Sequence, residues 1–394
     1  MIKLDLIQTV ACGGLVLLLG RALQRFIPVL ARYNLPGPVL GGMLVAAVLA
    51  VLKTQGITPL VFDTTLQTPL MIAFFTSLGF GASVSMLRVG GPQVFLFLGA
   101  CTVLAVGQNL LGMAVASLMG LPPLFGVLAG SVTLTGGPGT GLAFAPAFEA
   151  AGVASASVVA VTCATGGIVM GGLFGAPVGT RLIERFGLKP AARVTPETHL
   201  EAQTEPEDGA SALTRHLIAV LACMWLGTYV SGWLTNTGVT LPAYIGAMLV
   251  AAVVRNVDDV TRIFRLRPAL LDDLGNVALS FFLALSLMTL KLWELASLAL
   301  PMVVILAAQT AFMVTVASTV MFRVMGRDYD AAVMSGGLVG FMMGTTANAM
   351  ANMESLARRY GAAPRAFLVV PMVGACFIDF TNSVLITAFL NALK

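Results

Sequence analysis

The segment "SVTLTGGPGTGLAFAPAFE" (131–149) decides the fold of this chain. It places glycine, threonine and proline, which interrupt helices, between long apolar runs. A second segment of this kind, "MMGTTANAM" (342–350), follows later. Backbone that leaves the helical conformation at membrane depth exposes N–H and C=O groups, which cost several kcal/mol each in hydrocarbon. Such breaks are tolerated only inside protein or around water, so both segments predict re-entrant hairpins.

The composition around these segments is that of a membrane protein. Of 394 residues, 58% are hydrophobic and 10% are charged, whereas soluble domains carry roughly a quarter charged residues. A spanning helix needs about 20 mostly apolar residues. The sequence predicts an all-α polytopic membrane protein with ten spans, at about 5–25, 36–52, 66–87, 92–119, 151–183, 214–234, 241–254, 273–290, 296–322 and 366–391.

Residue types that carry catalysis or bind metals are scarce. The five cysteines lie one per apolar segment without paired spacing, which predicts packed thiols. The two histidines, His199 and His216, lie in or beside the polar connector between the halves. No Ser/His/Asp arrangement or phosphate-binding motif is present. We expect neither an enzyme nor a resident cofactor nor a nucleic-acid partner.

The basic residues fall mainly on one side of the predicted spans, and by the positive-inside rule that side is cytoplasmic. It receives Arg21, Arg25, Arg32, Arg88, Arg181, Arg185, Lys189, Arg193, Arg215, Arg255, Arg262, Arg265, Arg267, Arg323 and Arg327. The opposite side receives little beyond Lys3, Lys53, Lys291 and Lys394. Both termini are therefore expected outside, in a multi-pass protein of the inner membrane.

The two halves of the chain share an internal repeat. "GGMLVAAV" (41–48) recurs as "GAMLVAAV" (246–253), and the same offset of 205 residues relates Gly139-Thr140 to Gly344-Thr345. We predict a first repeat over 1–185 with a hairpin at about 122–149, a cytoplasmic linker over 186–213, and a second repeat over 214–394 with a hairpin at about 329–355. An odd number of spans per half inverts the second copy, as is typical of secondary transporters.

The chemistry expected of broken helices suits a small anion and a cation. Free N–H groups at a helix start carry partial positive charge and favour a carboxylate, whereas carbonyl, hydroxyl and amide oxygens favour Na⁺. We predict that the substrate is bound by Thr135, Gly136, Gly137, Pro138, Gly139, Thr140, Thr346, Asn348 and Asn352. A glycine-rich hinge or a close helix contact is the structural alternative.

The segment "FIDFTNSVLI" (377–386) provides a third polar element inside an apolar span. Asp379 and Asn382 are three residues apart and share a helix face, and a carboxylate in a span costs roughly 2.5–3.5 kcal/mol. We predict a sodium site made of Asp379, Asn382, Thr345 and Gly344. A proton site at Asp379, or a structural ion pair, is the alternative.

Two further patterns accompany these segments. Gly167, Gly171, Gly175 and Gly179 recur every four residues, which favours close helix packing, with a sliding contact as the alternative. Glu149, at the end of the first hairpin, is interpreted either as an interfacial group or as part of the site.

The segments 130–152 and 351–386 resemble motifs of the bacterial sodium/glutamate symporters, and the similarity extends over nearly the whole chain. The resemblance implies ten spans in two inverted halves, sodium-driven uptake of L-glutamate, and an elevator-like transport domain in a homodimer surrounded by lipid. Two motifs differ from the family pattern. Pro138 replaces the histidine of a Gly-Gly-His-Gly-Thr motif, and Ala347-Asn348 stands where Pro-Thr is common. The resemblance therefore implies transport but leaves the preference among anionic amino acids open, as well as sodium or proton coupling.

Overall fold

The computed structural model describes residues 2–27, 35–55, 60–89, 91–190, 209–236, 243–290, 292 and 298–393. The described chain is helical apart from a parallel pair of two-residue strands, β1 (Ile2–Lys3) and β2 (Leu60–Val61). The helices of the first half are α1 (Leu6–Phe26), α2 (Gly37–Thr54), α3 (Gln67–Gly81), α4 (Val84–Val89), α5 (Gly91–Leu118), α6 (Pro123–Val132), α7 (Gly137–Ala150) and α8 (Ala156–Phe186). Those of the second half are α9 (Gly209–Asn236), α10 (Ala243–Thr261), α11 (Pro268–Met288), α12 (Ala299–Val324), α13 (Tyr329–Met342), α14 (Thr346–Tyr360), α15 (Pro364–Met372) and α16 (Ile378–Ala392).

Most of the segments predicted to span the membrane coincide with helix, although the segment 66–87 is divided between α3 and α4 at Ala82 and Ser83. Six helices of the described chain, α1, α5, α8, α9, α11 and α12, are long and apolar enough to cross a membrane. The fold is thus that of a polytopic helical membrane protein, while ten crossings and the inverted repeat remain predictions. Most of the predicted linker, together with Arg32, Arg193, His199, Lys291 and Lys394, lies outside the described residues.

The repeated "GGMLVAAV" and "GAMLVAAV" motifs begin at glycines with the same packing role. Gly41 of α2 packs against the carbonyl of Val16 in α1, and Gly246 of α10 packs against the carbonyl of Gly227 in α9. A Cβ at either position would collide with that backbone, so each glycine lets the second helix of its half approach the first. The motif thus supports the same helix pair in both halves.

The helices divide into two groups. The first, which we call the panel, contains α1, α2, α3, α9, α10 and α11, which pack on one another. The second, the hairpin bundle, contains α5 to α8 and α12 to α16. Each group therefore combines corresponding helices from the two halves. Between them lies a cluster of aromatic rings in which Phe75 of α3 and Tyr244 of α10 contact Phe144 of α7.

Candidate functional site

The first hairpin, hairpin 1, consists of α6, two further helical residues at 133–134, a break at 135–136, and α7. The last turn of α6 is a π-helix (Leu128–Val132) in which Gly130 leaves helical geometry, with φ −100° and ψ −129°. Gly137 then begins α7 with φ +69°, a conformation that glycine adopts without steric cost. Gly136, the residue before α7, has no side chain that could cap the helix. The first N–H groups of α7 therefore donate to no capping side chain.

The second hairpin, hairpin 2, consists of α13, a break at 343–345, and α14. Here α13 keeps regular geometry up to Met342, and the Asp328 side chain caps its N-terminus. Thr345 caps α14, because its hydroxyl accepts a hydrogen bond from the N–H of Asn348 at 3.3 Å. The two hairpins therefore both contain the predicted helix–break–helix arrangement, but only the inner helix start of hairpin 2 has a side-chain cap.

The tips of the two hairpins lie against each other. A Cβ built on Gly137 would lie 3.7 Å from the carbonyl oxygen of Gly344, and the Thr135 hydroxyl approaches the Met342 sulfur at 3.9 Å. Gln108 of α5 bridges them: its Nε2 donates to the Met342 carbonyl at 2.8 Å, and its Oε1 accepts from the Thr135 hydroxyl at 2.7 Å. The breaks predicted from two distant stretches thus form one junction.

Three amide side chains at this junction were missed in the sequence analysis. Gln108, Asn109 and Gln309 are fully buried within apolar helices. Gln309 of α12 donates to the Gln108 carbonyl at 2.7 Å, and Asn109 accepts from the Ser131 N–H at 2.9 Å. The signal was available, because an uncharged amide inside an apolar run also needs a buried partner.

Hairpin 2 is fastened to α8 by two of the predicted residues. The Nδ2 of Asn348 donates to the Ile168 carbonyl at 2.7 Å, and the Nδ2 of Asn352, one turn later, donates to the Gly171 carbonyl at 3.0 Å. The glycine stripe makes this possible, since its members face hairpin 2; a Cβ on Gly175, for example, would overlap the Asn352 amide. Close packing is thereby confirmed as the role of the stripe.

The last segment of the chain contacts both hairpins. The Thr346 hydroxyl of hairpin 2 donates to the carbonyl of Gly374 at 2.9 Å, in the π-turn between α15 and α16. The Asn382 amide of α16 donates to the Ser131 carbonyl of hairpin 1 at 3.0 Å. Asp379 lies in the first turn of α16, one turn before Asn382. The structure thus joins Asn382 to hairpin 1, whereas the predicted ligand set grouped it with Thr345 and Gly344 of hairpin 2.

The remaining predicted residues of hairpin 1 lie in the first turn of α7. Pro138, Gly139 and Thr140 are buried. A Cβ on Gly139 would lie 2.8 Å from Leu279 of α11 and 3.6 Å from the Phe74 ring of α3, so this side of α7 faces the panel. Thr140 packs beside Gly136, where a Cβ would come within 2.6 Å of it.

A cavity of about 440 Å³ lies between the panel and the hairpin bundle. It is lined by residues of α3, α7, α8 and α11, including Gln67, Leu142, Glu149, Phe282 and Ser286. The Glu149 carboxylate lines this cavity. It accepts a weak hydrogen bond from the Ser157 hydroxyl at 3.4 Å. The cavity follows α7 towards the junction of the hairpin tips.

The chain is similar in sequence to known proteins along nearly its whole length. The family model of the sodium/glutamate symporters matches residues 2–362. The chain belongs to the sodium/glutamate symporter family. A sodium/glutamate symporter of Escherichia coli (strain K12) is 43% identical over 395 residues, covering 99% of this chain and 98% of that protein. One of Haemophilus influenzae is 42% identical over 388 residues, covering 96% and 95%. Members of this family are transporters, so the chain is a transporter rather than an enzyme.

Proposed function

We propose that this protein is a secondary active transporter that uses the inward Na⁺ gradient to take up L-glutamate, or a closely related anionic amino acid, across the inner membrane. The observation that carries the proposal is the junction of the two broken helices, where Gly137 and Gly344 approach each other. Family membership supports sodium coupling and glutamate as the substrate class. Paired broken helices at the interface of two repeats are the usual site of substrate and ion in such transporters.

The substrate carboxylate is assigned to the start of α7. This helix start has no side-chain cap and no acidic residue in its first turn, so its free N–H groups and partial positive charge are available to an anion. The glycines at 136, 137 and 139 place no side chain of their own over this backbone. Thr135, Pro138 and Thr140 line the same turn. Of the residues predicted in hairpin 2, Asn348 has an unpartnered Oδ1 to offer the substrate. The Thr346 hydroxyl and the Asn352 amide donate to backbone carbonyls and position hairpin 2 at the site.

Sodium is assigned to neutral oxygens and one carboxylate beside this junction. The predicted ligands are Asp379 and Asn382 on α16 together with Thr345 and the Gly344 carbonyl in hairpin 2. Oxygen donors of these types are those that hard cations prefer. If more than one Na⁺ accompanies each substrate anion, uptake moves positive charge inward and gains roughly 2.3 kcal/mol per charge per 100 mV.

The transport movement is proposed to be a displacement of the hairpin bundle against the panel. Both hairpins belong to the bundle, and the panel contributes mainly apolar side chains such as Phe74, Phe75 and Leu279 to the contact. The cavity beside Glu149 is the outer access route under the orientation with both termini outside. In a homodimer, the panel would supply the fixed part within the lipid.

A proton-coupled transporter, or one selective for another carboxylate, is the second candidate. Asp379, a carboxylate within an apolar segment, favours the first variant, and the departures at Pro138 and Asn348 favour the second. A channel with the same paired loops would conduct without accumulating its substrate.

Uptake of radiolabelled L-glutamate into proteoliposomes tests the proposal. With an inward Na⁺ gradient we expect accumulation above the external concentration, competition by unlabelled aspartate, and no accumulation when choline replaces Na⁺ at constant pH. Uptake that persists in choline would favour proton coupling, and equilibration without accumulation would favour a channel. In the same assay Asp379→Asn should lose sodium dependence or sodium affinity, and unchanged behaviour would exclude Asp379 as a ligand.

A further inference from the structure

Two oxygen atoms in hairpin 1 and α16 are buried without a hydrogen-bond partner. They are the Oγ of Ser131, in the π-turn of α6, and the Oδ1 of Asn382 in α16. Both residues are fully buried, and they contact each other directly because the Asn382 Nδ2 donates to the Ser131 carbonyl at 3.0 Å. A buried acceptor left without a partner costs free energy, so such groups need an explanation.

The surrounding hydrogen bonds identify the unpartnered atom of the Asn382 amide as its oxygen. A flip of the Asn382 amide would place its oxygen against the Ser131 carbonyl, so the unpartnered atom is the acceptor. The backbone on either side of Ser131 is also held, because its N–H donates to the Asn109 Oδ1 at 2.9 Å. A hydroxyl oxygen and an amide oxygen are thus oriented beside a π-turn, a geometry frequent at functional sites.

The charge of this region suits a cation. Asp379 lies three residues before Asn382 on α16, and the oxygens of the pair are acceptors suited to a hard ion. The nearby Asn109 Nδ2 is also unpartnered, so a bound water is the competing explanation. The acidic residue one turn away favours the ion.

We propose that Ser131 Oγ and Asn382 Oδ1 are ligands of one coupling Na⁺, bound at the π-turn of hairpin 1. This inference rests on the proposed sodium-driven function and adds Ser131, which no comparison assigns, to the site. It also locates the ion at hairpin 1, whereas the predicted sodium site takes its backbone carbonyl and hydroxyl ligands from hairpin 2.

Ser131→Ala tests the proposal because it removes the unpartnered hydroxyl and keeps both backbone hydrogen bonds. Two quantities are measured: the rise in unfolding temperature of the purified protein when NaCl replaces KCl, and the Na⁺ concentration for half-maximal glutamate uptake. We expect a loss of most of the Na⁺-induced stabilisation and an increase of about 10- to 100-fold in that concentration. The KM for glutamate at saturating Na⁺ should return close to that of the unaltered protein.

Ser335→Ala is the matched control. Ser335 is equally buried in the other hairpin, and its hydroxyl donates to the Ala331 carbonyl at 2.8 Å. It should keep the sodium response of the unaltered protein. Should Ser131→Ala fail to fold, Ser131→Cys offers a thiol, a poor ligand for Na⁺, at similar volume.

The outcomes separate the site from the function. A sodium response unchanged in both Ser131 variants, with sodium-driven uptake intact in the unaltered protein, would identify the partner as water and overturn the site alone. A sodium-independent unaltered protein would overturn the site together with the proposed function. Equal losses in Ser131→Ala and Ser335→Ala would reveal a packing effect and also overturn the site.

Discussion

Hairpin 1 and hairpin 2 occupy comparable positions in the two halves, yet they are fastened in opposite ways. In hairpin 1 the backbone of Ser131 receives side chains from its neighbours, Asn109 and Asn382. In hairpin 2 the side chains of Asn348 and Asn352 reach out to the backbone of α8. The reason is local geometry: α6 ends in a π-turn that needs outside partners, whereas α13 stays regular up to its break.

The two hairpins also face different surroundings. Hairpin 1 borders the panel and the cavity, and its inner helix start has no side-chain cap. Hairpin 2 is pressed against the glycine stripe of α8, and Thr345 caps its inner helix. The difference fits a division of roles in which hairpin 2 gives the bundle rigidity and hairpin 1 contributes the binding groups that we propose.

The largest effect is expected from Gly175→Ala, which breaks the fastening of hairpin 2. The new methyl group would overlap the Asn352 amide and crowd the Gly336 carbonyl. Overpacking costs about 1–3 kcal/mol, and a buried amide left unpaired adds a similar amount. We expect poor folding and a marked loss of uptake, measured by unfolding temperature and proteoliposome assay.

Gly99→Ala is the control for that variant. Gly99 lies on α5 with nothing within 4 Å of an added Cβ, so the helix should be unaffected or gain up to about 1 kcal/mol from the better helix former. If Gly175→Ala were as stable and active as Gly99→Ala, the close packing of hairpin 2 on the glycine stripe of α8 would not be needed for folding or transport.

A smaller effect is expected from Gly137→Ala at the junction of the tips. Gly137 has φ +69°, where a side chain costs roughly 1–2 kcal/mol, and the methyl group would lie 3.7 Å from the Gly344 carbonyl. Gly152, in the turn before α8, has φ +92° with open space around it, so an alanine there would incur comparable backbone strain without a new contact. Gly152→Ala should show a similar loss of stability and retain uptake, whereas Gly137→Ala should raise the KM for glutamate. Equal KM values would place the substrate elsewhere.

The sequence predicted the breaks better than it predicted their partners. Glycine and proline interrupt helices through their own backbone chemistry, so the breaks at 135–136 and 343–345 could be located without any tertiary information. The offset between the halves likewise pointed to Gly139-Thr140 and Gly344-Thr345. Which amide meets which carbonyl depends on how helices far apart in the chain pack, as for Gln108 and Met342.

The fastening of Asn352 could not be predicted for the same reason. Its spacing from Asn348 places both residues on one helix face. That this face packs against α8, so that both amides bond its carbonyls, depends on the position of α8 in the fold. Gln108, Asn109 and Gln309 were overlooked because uncharged amides barely lower the hydropathy of a long apolar run. A search for buried amides inside predicted spans would have found all three.

The smallest effect is expected from Pro138→His, which sharpens the assignment of substrate to hairpin 1. Proline in the first turn of α7 removes one N–H from the uncapped helix start, and histidine would restore that donor. A hydrogen bond to a charged group contributes about 1.5 kcal/mol at the low end of its range, so the KM for glutamate should fall by about tenfold. Competition assays with aspartate would show whether the gain is selective.

Pro123→His makes the same change in the first turn of α6, at the exposed outer end of the same hairpin, and should leave the KM unchanged. A KM that falls equally in both variants would assign the effect to hairpin stability, because only Pro138 lies in the turn that is proposed to hold the anion.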